Sequence, residues 1–112
     1  MGCESPMISV IIPLYNEEEN ISFLFQELER LFKKPPETME LILVDDGSKD
    51  QTFTLLVEAQ KNWQYGRCRI LRLRRNFGKG AALQAGLDLA YGEWIFTMDG
   101  DGQDNPLEFF KL

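Results

Sequence analysis

The sequence predicts an α/β domain in which helices cover both faces of a parallel sheet. Short apolar segments alternate with amphipathic segments along the 112 residues, the order that builds a parallel sheet through right-handed crossovers. The first apolar segment has no polar face, as a strand buried on both sides requires. Hydrophobic residues make up 44% and charged residues 27% of the chain, a composition typical of a globular domain.

The first half of the chain supplies two strands and two helices of this pattern. Asn16 is a candidate helix N-cap, and Glu19 three residues later completes a capping-box pattern. The double proline at 35–36 ends that helix. The expected elements are a strand at 7–13 (MISVIIP), a helix from Asn16 to the prolines, a strand at 40–45 (ELILVD) and a helix at 50–62.

The second half repeats the alternation. In its first strand, Arg69 and Arg72 interrupt an apolar face, and together with Arg67 we assign them to a solvated basic surface. The expected elements are a strand at 68–73, a helix at 78–91, a strand at 93–98 and a final short helical segment that begins at Pro106.

Polar clusters follow all four expected strands. Ligands of parallel α/β sheets bind where the strands reach their carboxyl ends, so these clusters are expected to share one site. They are Tyr15-Asn16-Glu17, Asp45-Asp46-Gly47-Ser48, Arg75-Asn76 and residues 99–104.

The last cluster has the chemistry of a metal site. Asp99 and Asp101 are two residues apart, so in an extended segment both carboxylates face the same side. Paired hard oxygens suit Mg²⁺ or Mn²⁺, with Gln103 as a neutral oxygen ligand. Gly100 and Gly102 leave the backbone open to a diphosphate. The alternative is an acidic turn, which Asp and Gly also favour.

The other clusters suggest nucleotide contacts. We assign Asp46 to ligand binding, as a hydrogen-bond acceptor for ribose hydroxyls or a base N–H. For Asp45 the same role and a purely structural role in the turn are equally supported. Tyr15 is a candidate for stacking on a base, or for packing. Arg75 and Lys79 flank a helix start at Gly78 and are candidate phosphate contacts.

Several classes of protein are excluded. A net charge of −6 argues against nucleic acid as a partner. The chain contains no histidine, so a Ser-His or Cys-His nucleophile is excluded. No glycine-rich dinucleotide fingerprint follows the first strand. The two cysteines lack metal or redox spacing, and no apolar run approaches a membrane span, which favours a cytoplasmic protein. Residues 1–6 are expected to form a disordered leader.

Taken together, four segments resemble the family-2 glycosyltransferases, which have the GT-A fold. The order and spacing of the segments match that family from about residue 7 to the end, and the last segment is most similar to the dolichyl- and polyprenyl-phosphate sugar transferases. The segments are residues 10–17 (VIIPLYNE), 44–50 (VDDGSKD), 75–80 (RNFGKG) and 98–104 (MDGDGQD).

The resemblance implies a role for individual residues. It implies metal and diphosphate ligation by Asp99, Asp101 and Gln103, and a catalytic contribution of Asp101 through the metal. The family branch often has Ala and Leu where Gly100 and Gly102 stand, which puts the geometry of this loop in question. The residues that it implies in nucleotide-sugar binding are Pro13, Tyr15, Glu17, Val44, Asp46, Asp99, Gly100 and Asp101.

The reaction implied is inverting transfer of a sugar from a UDP- or GDP-linked donor to a polyprenyl phosphate. On this interpretation residues 7–112 are the nucleotide-sugar-binding part of a Rossmann-like GT-A domain, truncated at its C-terminal end. The fragment alone is expected to be inactive, and membrane association is expected only through the missing C-terminal sequence, with the full-length protein at the cytoplasmic face of a membrane.

Three other functional classes stay open, one of them a plain structural domain whose acidic loops bind nothing. In haloacid-dehalogenase-type phosphatases a strand is followed by D-x-D-G, and Asp99 would then be the nucleophile. A non-catalytic nucleotide-binding module would use the same loops without transfer.

Overall fold

The computed structural model describes residues 6–34 and 38–98, and the backbone of residues 108–111. Strands and helices alternate through this part of the chain as the sequence predicts. The elements are β1 (Ile8–Leu14), a 3₁₀ turn (Glu18–Asn20), α1 (Ile21–Lys33), β2 (Met39–Asp45), α2 (Thr52–Lys61), β3 (Cys68–Arg72), α3 (Lys79–Leu89), β4 (Trp94–Thr97) and β5 (Glu108–Lys111).

The strands form one sheet in the order β3-β2-β1-β4-β5. The first four strands are parallel to one another. The order reverses at β1, which lies between β2 and β4, and this arrangement is the switch point at which doubly wound sheets bind ligands. The predicted Rossmann-like α/β class is therefore confirmed.

The end of the chain corrects one prediction. Residues 108–111 are not helical but form β5, which pairs antiparallel with β4. The sheet is consequently mixed rather than wholly parallel, a common addition at the edge of a parallel sheet. Four residues are too few to show a helical or strand period, and pairing with the edge of β4 decides their conformation.

The side chains of β1 divide the core in two. Ile8, Val10, Ile12 and Leu14 pack against α1 and α2, whereas Ile11 lies on the other face. This alternation follows from the two-residue period of a strand. The second core also contains Ile42, Val44, Ala82 and Ile95.

Helix α3 lies very close to the sheet at Gly86. A Cβ atom there would be 2.5 Å from Cγ2 of Ile11 and 3.3 Å from Cγ2 of Val44. Real side-chain carbons do not approach so closely, so only glycine allows this helix-to-sheet distance.

The start of α1 differs from the predicted capping box. The helix begins at Ile21, after a 3₁₀ turn, and its N-cap residue Asn20 makes no side-chain capping bond. Asn16 lies earlier, in the left-handed region with a φ of 52°. Its Oδ1 accepts a hydrogen bond from the backbone N–H of Lys49. The side chain of Asn16 therefore makes a tertiary hydrogen bond to Lys49 instead of the helix-capping bond that the capping box predicts.

The assignment of Arg69 to a solvated surface is also wrong. Its Nη2 lies 3.0 Å from Oε1 of Glu40, which is fully buried, and also donates to the carbonyl of Leu89. The other carboxylate oxygen of Glu40 accepts bonds from Ser9 Oγ and from the backbone N–H of Tyr91. A charge buried inside β2 needs such partners. The network ties β1, β2, β3 and the α3–β4 connection together.

Within the described ranges, every helix is too short or too polar to cross a bilayer.

Candidate nucleotide-binding site

The loops after β1, β2 and β3 meet at the carboxyl edge of the sheet. β1 and β2 are in register up to Leu14 and Asp45, whereas β4 ends beside Ile11 at Thr97. β1 therefore continues for three residues beyond the last paired residue of β4. With strands spaced ~4.8 Å apart, β2 and β4 lie ~10 Å apart on the two sides of β1.

Pro13 lies in the part of β1 that extends past β4. The carbonyl of Ile11 accepts from the N–H of Met98, which directly follows β4, and the carbonyl of Leu14 accepts from Asp46 N on the β2 side. Backbone groups of successive residues point to opposite neighbours. The N–H that Pro13 lacks would therefore point to the β4 side, beyond Thr97, the last paired residue of β4. A proline in a central strand is tolerated for this reason.

Several hydrogen bonds join the loop after β1 to the segment that leads into α2. Asn16 N donates to Ser48 Oγ at 2.8 Å, and Asn16 Oδ1 accepts from Lys49 N at 2.8 Å. Glu17 N donates to Thr52 Oγ1 at 2.8 Å, and Glu18 N donates to Asp50 Oδ2 at 3.3 Å. The backbone around Tyr15 and Glu17 is thus held by the neighbouring loop, which reduces the ordering that a ligand would have to impose.

The two expected nucleotide contacts in this loop differ in exposure. The ring of Tyr15 is 39% exposed and is available for stacking. Glu17 is half-buried, and its Oε1 accepts a bond from Nδ2 of Asn20.

The adjacent carboxylates of Asp45 and Asp46 are both buried but have different partners. Oδ1 of Asp45 accepts from Ser48 N, which closes the turn, and its Oδ2 lies 3.7 Å from Nε of Arg72 with no hydrogen bond. Arg72 is half exposed and stacks on Phe53, so it is not simply part of a solvated surface. Asp45 therefore acts chiefly as a turn and ion-pair residue.

Asp46 holds the loop that follows β3. Oδ1 accepts from Phe77 N at 2.8 Å, and Oδ2 accepts from Gly78 N at 3.0 Å and from Asn76 Nδ2 at 3.2 Å. Asp46 thus accepts from two N–H groups directly before the first residue of α3, and the assignment of Arg75 and Lys79 to phosphate stays a prediction. No sequence pattern indicates this contact, because the two segments are about thirty residues apart.

Gly47 completes the contact between the two loops. Its φ is +73°, and a Cβ atom there would lie 2.3 Å from the carbonyl carbon of Arg75 and 2.5 Å from Asn76 N. The backbones therefore touch, which only glycine permits. Arg75 is exposed, and its guanidinium stacks over the ring of Phe77 at 4.7 Å. Lys79 is exposed at the first turn of α3.

Val44 has a fully buried side chain in the core beneath α3. Only its backbone is therefore suited to contact a ligand, as the resemblance implies.

The expected metal ligands Asp99, Asp101 and Gln103, and also Gly100, lie outside the described residues. In the described part of the chain, three or more acidic, cysteine or histidine side chains do not come together as a metal-binding group. The structure therefore describes the part of the candidate site that follows β1, β2 and β3.

The chain is similar in sequence to known proteins. The family model for glycosyl transferase family 2 matches residues 9–112. The dodecaprenyl-phosphate galacturonate synthase of Rhizobium johnstonii is 45% identical over 107 residues, which are 92% of this chain and 30% of that protein. The undecaprenyl-phosphate 4-deoxy-4-formamido-L-arabinose transferase of Photorhabdus laumondii is 39% identical over 105 residues, 94% of this chain and 32% of that protein.

Solved structures agree with the fold. S. aureus TarS 1-349 in complex with UDP is 34% identical, with a TM-score of 0.72, over 84% of this chain and 27% of that one. The mannosyltransferase PcManGT from Pyrobaculum calidifontis, in complex with GDP-Man and Mn²⁺, is 26% identical, with a TM-score of 0.74, over 88% of this chain and 28% of that one. The chain thus spans about 30% of the length of the curated relatives named above.

Proposed function

The chain belongs to glycosyl transferase family 2, and on that premise we propose that its protein transfers a sugar, with inversion, from a nucleoside-diphosphate sugar to a polyprenyl phosphate. Both relatives described above are named for a polyprenyl-phosphate product or acceptor. In this proposal residues 7–112 bind the nucleotide part of the donor. The nucleotide is UDP or GDP, the nucleotides in the two structural neighbours.

The observation that carries the proposal is the joining of three loops at the switch-point edge of the sheet. Asp46 fixes the loop after β3, and Ser48, Lys49 and Thr52 fix the loop after β1. The proposed nucleotide contacts all lie on or directly beneath this edge. They are Pro13, Tyr15, Glu17, Val44 and Asp46. Arg75 and Lys79 extend it with positive charge for the diphosphate.

We assign the metal to Asp99, Asp101 and Gln103. Two carboxylates and an amide oxygen are hard donors, which fit Mg²⁺ or Mn²⁺. The metal, when bound, offsets the negative charge that develops on the leaving diphosphate. A phosphate acceptor is ionised at neutral pH, so no catalytic base is assigned. Gly100 leaves the backbone of this segment accessible to the diphosphate.

The lipid acceptor places the reaction at a membrane surface, and the nucleotide sugar places it on the cytoplasmic face. The haloacid-dehalogenase alternative is not favoured, because the family match extends over nearly the whole chain. A non-catalytic nucleotide-binding module is not favoured either, because the two relatives described above are named as a synthase and a transferase.

Calorimetry on the complete protein tests the proposal. UDP and GDP are titrated with and without Mn²⁺ into the native protein, into Asp101→Ala and into Asp88→Ala, a matched control on the exposed surface of α3. We expect one nucleotide to bind, Mn²⁺ to strengthen binding in the native protein and in the control, and Asp101→Ala to lose the Mn²⁺ effect. Binding of neither nucleotide would contradict the proposal. Metal-dependent binding without transfer to a polyprenyl phosphate would favour the non-catalytic module.

A further inference from the structure

We propose that Asn16 is a positioning residue that sets the relative placement of Tyr15 and Glu17, the two proposed nucleotide contacts on either side of it. The inference rests on the proposed function and adds a residue to which the family resemblance gives no role. Two observations carry it: the left-handed backbone of Asn16, and the hydrogen bonds that hold this backbone from the loop after β2.

The backbone bends at Tyr15 and Asn16, directly after β1 ends at Leu14. The φ of Asn16 is 52°, and among the described residues Asn16 is the only non-glycine residue with a positive φ. Most side chains are disfavoured in the left-handed region, whereas asparagine adopts it readily. The residue type at position 16 therefore decides how readily the loop takes this course.

The loop after β2 holds both the backbone and the side chain of Asn16. Asn16 N donates to Ser48 Oγ, and Asn16 Oδ1 accepts from Lys49 N, each at 2.8 Å. Ser48 is itself fixed, because it is 6% exposed and its N–H donates to the buried carboxylate of Asp45. The left-handed conformation of Asn16 is therefore maintained by contacts with a buried turn.

Glu17 is held next to Asn16 by a fully buried hydroxyl group. Glu17 N donates to Thr52 Oγ1 at 2.8 Å, and this hydroxyl donates its own proton to Asp50 Oδ1. The Oε1 atom of Glu17 accepts from Nδ2 of Asn20 at 2.8 Å. Rotation about φ of Asn16 moves every residue that follows it relative to β1. The conformation of Asn16 therefore determines whether Glu17 reaches these partners.

Tyr15 lies on the other side of the bend with its ring accessible. The carbonyl before it and the N–H after it both form 2.8 Å hydrogen bonds with the loop after β2. Its backbone is thus fixed at both ends, whereas its ring is 39% exposed and suited to stacking on a base. Because Asn16 sets the angle of the chain between them, it determines how this ring and the carboxylate of Glu17 lie relative to each other.

Two substitutions at position 16 separate conformation from hydrogen bonding, with calorimetry of UDP and GDP on the complete protein as the measurement. Asn16→Gly keeps the left-handed conformation accessible but removes the acceptor for Lys49 N, so we expect nucleotide affinity to fall by about threefold. Asn16→Ala removes both, and a smaller fraction of the protein then has the competent loop. We expect a loss of about twentyfold. Equal losses in the two variants would contradict the inference.

The conservative variant Asn16→Asp should retain binding, because aspartate also adopts the left-handed region and keeps an acceptor for Lys49 N. Gln51→Glu is the matched control, since it adds the same charge on the neighbouring exposed segment. We expect the two variants to agree within about twofold in affinity. A loss in Asn16→Asp as large as that in Asn16→Ala would show that neither conformation nor the acceptor matters.

Double-mutant cycles distinguish positioning from direct contact of Asn16 with the nucleotide. If Asn16 acts through its neighbours, Asn16→Ala costs less affinity in Tyr15→Ala and in Glu17→Gln than in the native protein. A direct contact, or a purely structural role, gives the same loss in all three backgrounds and would overturn the inference.

Amide hydrogen exchange supplies a readout that does not depend on the nucleotide. The Lys49 amide should exchange faster in Asn16→Gly and Asn16→Ala, and should keep its slow exchange in Asn16→Asp. The Glu17 amide should exchange faster in Asn16→Ala, because its contact with Thr52 depends on the conformation of Asn16. Native exchange rates in Asn16→Ala would refute the inference. Failure of the native protein to bind either nucleotide would instead overturn the proposed function.

Discussion

Arg69 and Glu40 form an ion pair in which the carboxylate is wholly buried and the guanidinium is mostly so, with Nη2 and Oε1 3.0 Å apart. The pair lies on the α3 face of the sheet, and its further bonds reach Ser9, Leu89 and Tyr91. It therefore joins β2 and β3 to the connection that returns the chain to β4.

Arg69→Met should lower the free energy of unfolding by about 3 kcal/mol, because it leaves the charge of Glu40 buried without its cation. Arg67→Met is the matched control. Arg67 is exposed and near the same Tyr91 ring, so a change within about 0.5 kcal/mol is expected. Urea denaturation of the complete protein measures both, and equal effects would show that the pair does not stabilise the fold.

Gly86→Ala should destabilise the protein and Gly80→Ala should stabilise it, although both residues lie in α3. The new methyl group at Gly86 would overlap Ile11 and force α3 from the sheet, a cost of about 1–3 kcal/mol. At Gly80 the space is open, and alanine should stabilise α3 by up to about 1 kcal/mol. Thermal unfolding measures both variants. A stabilising Gly86→Ala would contradict the close approach of α3 to β1.

Asp50→Asn should change how stability depends on pH. Burial opposes ionisation of Asp50, but hydrogen bonds from the side chain and backbone of Thr52 and from Glu18 N outweigh it, so its pKa is lowered from 3.8. A lowered folded-state pKa gives stability that is present above 3.8 and is lost as the pH falls through the lower folded value. The difference in stability between native protein and Asp50→Asn should therefore be constant near neutral pH and shrink only below about pH 4. Denaturation midpoints from pH 2 to 7 test this, and a difference that grows on acidification would refute it.

Cys68 should react slowly with thiol reagents. Burial raises the pKa of its thiol to about 11, and only the thiolate is nucleophilic. In a Cys3→Ser background the labelling rate should be low at pH 7 and still be rising at pH 10, whereas an ordinary thiol levels off above about pH 8.5. Unfolding in urea should restore the ordinary profile. Rapid labelling of the folded protein at pH 7 would contradict the burial of Cys68.

The alternation of elements and the clusters at the strand ends could be predicted because both depend on local patterns. A run of apolar residues predicts the first strand, and the helical spacing of Ile21, Leu24, Leu28 and Phe32 predicts α1. The parallel order then placed the polar loops on one edge by geometry alone. The assignment of Asp99, Asp101 and Gln103 to a metal stays a prediction.

The partners of individual polar side chains could not be predicted in the same way. Asn16 matched a local cap, yet its oxygen accepts from Lys49 N. Arg69 looked like a surface residue, yet it pairs with Glu40. In each case a distant segment offers a donor or acceptor that the local sequence does not contain, and satisfying a buried charge or backbone group outweighs local preference.

The sequence by itself determined the class of fold, the edge of the sheet that carries the site, and the family, because these follow from hydrophobic periodicity and from residue types at strand ends. Tertiary structure alone decided that Asp46 holds residues 75–78, that Gly47 and Gly86 permit close approach, and that the last strand runs antiparallel. Those features arise from atoms brought together across tens of residues, where hydrogen bonding and packing distances, rather than local propensity, set the energy.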